Sequence, residues 1–274
     1  MVGKEKFHPI TIWKNQFEHK IPLDTLSNIK HHLENDGYYL IQNYFDLDSI
    51  SKIKSILIKS NEEWLKRNKD SQLINSAYLT SKLFLQKQED RNTIFEFLTR
   101  DQILNICKQI FQKEFYFLNT QIFFNPIDKE KRPYWHRDIQ YLGIPEEEQK
   151  LRIQKDIVWH FRVPLEEDPG IWFVPSSHKR WDHKEEREVR LEIGIHRSDE
   201  PLQNQILIPH DPGDLLIFSA HLLHKGEYGK NRFSFDVLYT NFPESTTQVK
   251  TWEHFPDVNH TGIAKDKRFL FQTN

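Results

Sequence analysis

A single cysteine, Cys107, leaves the chain unable to form an intrachain disulfide, which fits a reducing compartment. Long apolar runs are missing too. No stretch approaches the ~18 apolar residues of a membrane span, and the charged start Met1-Val2-Gly3-Lys4-Glu5-Lys6 leads into no apolar signal segment. Neither sign of charge is in excess, with 38 Lys and Arg against 40 Asp and Glu, dispersed rather than clustered. Bulk electrostatics therefore offers nothing to a nucleic acid. Internal repeats, linkers and low-complexity tracts are also absent. The expectation is a cytoplasmic, soluble chain with no membrane or nucleic-acid partner, either a monomer or a homodimer.

Aromatic residues are plentiful, with 20 Phe and 7 Trp among 274 residues, enough to fill a sizeable core despite a mean hydropathy of -0.71. The first part, 1–113, carries helical signals. Pro22-Leu23-Asp24-Thr25 opens a segment with Leu26, Ile29 and Leu33 at helical spacing, ending near Gly37. Tyr38 to Tyr44 is short, aromatic and β-rich. Asp46-Leu47-Asp48-Ser49 caps a second helix bearing Ile50, Ile53, Ile56 and Leu57, and Arg91 to Gln112 reads as one further helix. From Glu114 the pattern turns to short strands at Phe115–Phe124, Ile157–Pro164, Ile171–Val174, Ile206–Ile208, Asp214–Phe218 and Phe233–Tyr239. Turn signals such as Asp168-Pro169-Gly170 and Asp211-Pro212-Gly213 punctuate them. Helices followed by many short strands predict one mainly-β domain, a jelly roll over 114–240 with helices packed outside and a C-terminal extension over 241–274. The charged region 179–205 reads as a surface excursion of the kind that forms lids.

Tyr134-Trp135-His136-Arg137-Asp138 contains His-x-Asp. On a strand, residues two apart share a face, so His136 and Asp138 can bind one ion together. Two histidines and one carboxylate form the facial triad of non-haem Fe(II) oxygenases, which leaves positions open for cosubstrate and O2. With 14 histidines such pairs also arise by chance. His32-x-Glu34 lies in a predicted helix, where those side chains diverge, and His183-x-Glu185 lies in a solvated charged run, so only His136-Arg137-Asp138 sits among strand signals. A third ligand must come from Pro212-Gly213-Asp214-Leu215-Leu216-Ile217-Phe218-Ser219-Ala220-His221-Leu222-Leu223-His224, where His221 and His224 compete. A buried histidine bonded to backbone is the ordinary alternative for either. Beyond the next turn, Arg232 and Ser234 share a strand face suited to the distal carboxylate of a dicarboxylic acid, or to an edge-strand ion pair. Tyr141, Arg137 and Trp181 lie near the same motifs without an assigned role, Trp172 and Phe173 read as core, and Glu146-Glu147-Glu148 reads as a solvated helix start.

These pieces, in order, resemble the phytanoyl-CoA dioxygenase family of double-stranded β-helix (jelly-roll, cupin-like) oxygenases. The resemblance is carried by Asn125-Pro126, His136-Arg137-Asp138, Trp159, Gly170, Val174-Pro175-Ser176-Ser177-His178-Lys179, Pro212-Gly213-Asp214, His224-Lys225-Gly226 and Arg232. Ser176 departs from the family's usual Pro-Gly-Ser-His wording. The resemblance implies Fe(II) on His136, Asp138 and His224, with Arg232 anchoring 2-oxoglutarate. It adds Trp159 and either Asn119 or Gln121 as further cosubstrate contacts, while Arg232-x-Ser234 resembles the Arg-x-Ser pair of other 2-oxoglutarate oxygenases. The hairpin between His224 and Arg232 is shorter than in many members. The implied reaction uses O2 to hydroxylate an unactivated C–H bond of a small-molecule substrate, releasing succinate and CO2. A polar metabolite or natural product, such as an alkaloid precursor of cylindrospermopsin, fits better than an acyl-CoA, since no basic cluster awaits the CoA phosphates. Asp138 disfavours halogenation. The alternative is a cupin-like metal- or sugar-binding protein without redox chemistry, which would need no cosubstrate anchor.

Overall fold

The computed structural model describes residues 23–242, 251–257, 260 and 262–271. Expectations for Met1–Lys6, Pro22 and part of the C-terminal extension lie outside these residues. Four helices precede most of the sheet: α1 (Leu23–Asn35), α2 (Leu47–Arg67), α3 (Gln88–Leu98) and α4 (Asp101–Phe111). Leu26, Ile29 and Leu33 are buried on α1, and Ile50, Ile53, Ile56 and Leu57 on α2. The Asp46 carboxylate caps α2, accepting from the Ser49 N–H at 2.7 Å. The single helix expected over Arg91–Gln112 is two. Thr99 turns its hydroxyl onto the Phe95 carbonyl at 2.7 Å, and Arg100 is extended with ψ 141°, so the chain restarts at Asp101. No helix among the described residues is long and apolar enough to cross a membrane.

Among the described residues nine strands follow the jelly-roll plan: β1 (Tyr38–Ile41), β2 (Asn75–Ala77), β3 (Tyr116–Phe124), β4 (Val158–Pro164), β5 (Asp168–Phe173), β6 (Ile206–His210), β7 (Leu215–Ser219), β8 (His224–Gly226) and β9 (Phe233–Thr240). They form a six-stranded sheet in the order β1-β7-β4-β9-β3-β2 and a three-stranded sheet in the order β6-β5-β8. Every pairing is antiparallel. Strand periodicity divides the core. Trp159, Phe161, Val163, Leu215, Ile217, Phe235 and Val237 pack with the helices. Leu216 and Phe218 turn the other way, onto Ile171 and Phe173 of the smaller sheet. Each large apolar side chain so buried contributes about 1.5–3 kcal/mol.

The 179–205 region does more than cover a surface. It contains a short helix, Lys184–Arg190, and reaches into the protein through Asp182. That carboxylate, fully buried, meets Arg137 Nε at 2.7 Å and Arg190 Nη2 at 2.6 Å. Farther along, the Ser198 and Glu200 carbonyls accept from the backbone and indole N–H of Trp135. The excursion is therefore stitched to the residues on both sides of His136.

Candidate metal centre

His136 and His224 form an isolated antiparallel bridge, each backbone N–H donating to the other's carbonyl at 2.9 and 3.0 Å. Asp138 is not on a strand, contrary to the periodicity argument. It opens a 3-10 turn, Asp138–Leu142, with its N–H on the Ala220 carbonyl at 3.1 Å. Ligand atoms of His136, Asp138 and His224 nonetheless all lie within 4.8 Å of one another. Asp138 Oδ1 is 3.6 Å from His136 Nε2 and 3.4 Å from His224 Nε2. The Nδ1 atoms face the Tyr134 and Leu222 carbonyls at 3.1 and 2.8 Å. If each Nδ1 carries the proton, both Nε2 lone pairs converge on one point. His221 is elsewhere, its Nε2 on the Asp156 carbonyl at 2.7 Å.

Burial, reinforced by the His224 imidazole, pushes His136 down to about 3, so it stands neutral with a lone pair to give. Burial alone would raise the Asp138 carboxyl. The hydrogen bond from His160 and the nearby His224 imidazole instead hold it well below the usual carboxylate range. Imidazole nitrogens beside an ionised carboxylate suit Fe(II).

His160 was not anticipated. It lies on β4, stacked on Phe218 with ring centroids 4.5 Å apart. Its Nε2 is 2.8 Å from Asp138 Oδ2 and its Nδ1 is 2.8 Å from Asp236 Oδ2. Burial opposes a charge there, but the two carboxylates raise His160 to about 9. Asp236 also accepts Nε and Nη2 of Arg162 at 2.6 and 2.9 Å. A chain Asp138–His160–Asp236–Arg162, buried from His160 onward, thus runs across β4 and β9. Its sequence signal was charge at alternate positions, 160 and 162, of an otherwise apolar strand, facing an aspartate in another.

A small cavity, open to solvent, adjoins the triad. His136, His224, Arg162 and Arg232 supply its charged or polar wall, and Phe123, Tyr134 and Tyr228 its aromatic wall. Arg232 is buried, with Nε and Nη1 lacking hydrogen-bond partners and Asp168 Oδ2 3.5 Å from Nε. Gly226 makes room for it: a Cβ there would fall 2.5 Å from Arg232 Nη2. Asn125 braces the short hairpin that carries Arg232, accepting from the Gly229 N–H at 3.0 Å and donating to the Gly229 and Lys230 carbonyls.

The other expected cosubstrate contacts, Trp159, Ser234, Asn119 and Gln121, are not among the residues that line the cavity. Trp159 faces the helices with Phe161, because odd-numbered positions of β4 point away from the cavity. Ser234 donates its hydroxyl to Asp168 at 2.6 Å. Asn119 Oδ1 accepts from the Tyr78 and Thr120 N–H groups. Gln121 shares a strand face with Phe123, but it is not among the residues that line the cavity.

Residues 33–232 match the phytanoyl-CoA dioxygenase (PhyH) family. The chain belongs to that family. It is an Fe(II)- and 2-oxoglutarate-dependent dioxygenase. The match sets aside a cupin-like binder without redox chemistry. The dioxygenase cdmD of Talaromyces verruculosus is 22% identical over 271 residues, covering 90% of this chain and 84% of that protein. Two solved structures from nogalamycin biosynthesis share the fold. The non-heme alpha ketoglutarate dependent carbocyclase SnoK has a TM-score of 0.54 at 16% identity, covering 78% of this chain and 83% of its own. The corresponding epimerase SnoN has a TM-score of 0.51 at 14% identity, covering 79% and 82%.

Proposed function

We propose that His136, Asp138 and His224 hold Fe(II), that Arg232 anchors 2-oxoglutarate, and that the enzyme hydroxylates an unactivated C–H bond of a small polar metabolite or natural product, alkaloids included. The observation that carries this reading is the convergence of Asp138 Oδ1 and two imidazole Nε2 atoms beside a cavity walled by Arg232. Bound there, Fe(II) and 2-oxoglutarate supply O2 activation coupled to oxidative decarboxylation, with succinate and CO2 as by-products. The backbone carbonyls of Tyr134 and Leu222 set the ring orientations of the two histidines. Arg232 presents unpartnered N–H groups suited to a carboxylate. Phe123, Tyr134 and Tyr228 form the aromatic wall beside the reacting atoms.

The carboxylate of Asp138 occupies the position a halide would need, which favours oxygenation over halogenation. A cytoplasmic location accords with a single, buried cysteine. The test is a metabolite screen reading succinate release with Fe(II), 2-oxoglutarate and O2, followed by mass spectrometry under labelled O2. A product carrying one labelled oxygen supports hydroxylation, and an unlabelled, desaturated or cyclised product overturns it.

A further inference from the structure

We infer that Arg162 is a second guanidinium contact for the distal carboxylate of the 2-oxoacid, so that this carboxylate lies between two arginines rather than on Arg232 alone. This rests on the functional reading above.

Even-numbered positions of β4 point away from the helices, and Arg162 accordingly lines the cavity. Its Cζ sits 4.2 Å from the Phe123 ring centroid, and the Cζ of Arg232 sits 5.7 Å from the same ring. One aromatic side chain thus carries both cations at one end of the cavity. Asp236 takes Nε and Nη2 of Arg162, and Nη1 is left buried with no hydrogen-bond partner. Nε and Nη1 of Arg232 are in the same condition.

A buried N–H left unmade on a cavity wall is costly until something accepts from it. Each guanidinium already faces one carboxylate, Asp236 for Arg162 and Asp168 for Arg232. What remains on offer is a set of fixed donors, the chemistry that a carboxylate satisfies with two oxygens. His160 bonds Asp236 from the other side, so the acceptor holding Arg162 is itself held, and the donor is fixed before any ligand arrives.

The same donors would serve a carboxylate on the substrate to be oxidised, and a binding experiment separates the two sources. Mn(II)-loaded protein is titrated calorimetrically with 2-oxoglutarate and with 2-oxopentanoate, which has the same chain length but no distal carboxylate. Arg162→Met should weaken 2-oxoglutarate binding about tenfold or more, the loss of a charge-assisted hydrogen bond, and leave 2-oxopentanoate binding unchanged. Arg162→Lys should fall between. If Arg162→Met folds poorly because Asp236 has lost its partner, Arg162→Met with Asp236→Asn replaces it. An unchanged ratio of the two affinities in these variants overturns the inference alone and leaves Arg162 to another anion. No saturable 2-oxoglutarate binding by the wild type would overturn both this inference and the functional reading.

Discussion

Nε2 of His160 stands 2.8 Å from Oδ2 of Asp138, leaving Oδ1 as the oxygen that faces both triad imidazoles. The contact favours binding of a metal through one carboxylate oxygen and leaves coordination positions for other ligands. His160→Phe should therefore lower Mn(II) affinity by about 10- to 100-fold, as for other residues that orient a metal ligand. His160→Gln, which keeps a donor, should lose less. Equal affinities in wild type and His160→Phe, measured by electron paramagnetic resonance titration, would show that the carboxylate needs no such support.

His136→Ala, Asp138→Ala and His224→Ala should each abolish succinate formation. His221→Ala should keep most of it, because that imidazole is occupied with the Asp156 carbonyl. An essential His221 beside a dispensable His224 would refute the assigned triad.

Arg232→Lys should weaken 2-oxoglutarate binding by about 1–3 kcal/mol, since lysine keeps the charge and loses the fork. Mn(II) affinity should stay near the wild-type value. Gly226→Ala should reproduce much of that loss, because its methyl would displace Arg232 Nη2. Calorimetry on both variants checks this, and full affinity in Gly226→Ala would mean that Arg232 has room to move.

Asp182→Asn should destabilise the protein by about 3–5 kcal/mol, because Arg137 and Arg190 lose the counter-charge they share in the interior. A lowered midpoint of urea unfolding is the expected outcome, and a midpoint matching the wild type would show that the pair adds no stability.

Burial pushes His254 down to about 4, against about 6.5 in an unfolded chain. As pH falls through that window the unfolded chain takes up the proton first. Stability therefore declines from about pH 6.5 and levels off below about pH 4, by up to about 3 kcal/mol from this group. Urea unfolding between pH 7.5 and 5 should show the decline, and His254→Gln should flatten it. An identical slope in the variant would assign the effect to other groups.

The triad was legible because three ligand types recur in a fixed order around turns, and a turn's position shows in its Gly, Pro and Asp residues. The facing of individual strand residues was less legible. Trp159 and Arg162 lie on the same short strand, and a shift of one position exchanges the helix-side core for the cavity. Ser234 was placed on a plausible face, but its acceptor, Asp168, comes from a different strand that local pattern does not connect to it. His160 and Asp236 escaped notice for the same reason, since their meaning lies in cross-strand partners. The break at Thr99–Arg100 carried no Gly or Pro to announce it, only a threonine able to bond back along its own helix.

The two-way backbone bridge between His136 and His224 has a consequence for how the metal is kept. One histidine follows the early strands and the other precedes the last, so neither local segment holds both imidazoles of the triad. A site with all three proposed ligands is complete only where the two segments pair, so any variant that opens this bridge should lose metal affinity even with every ligand in place.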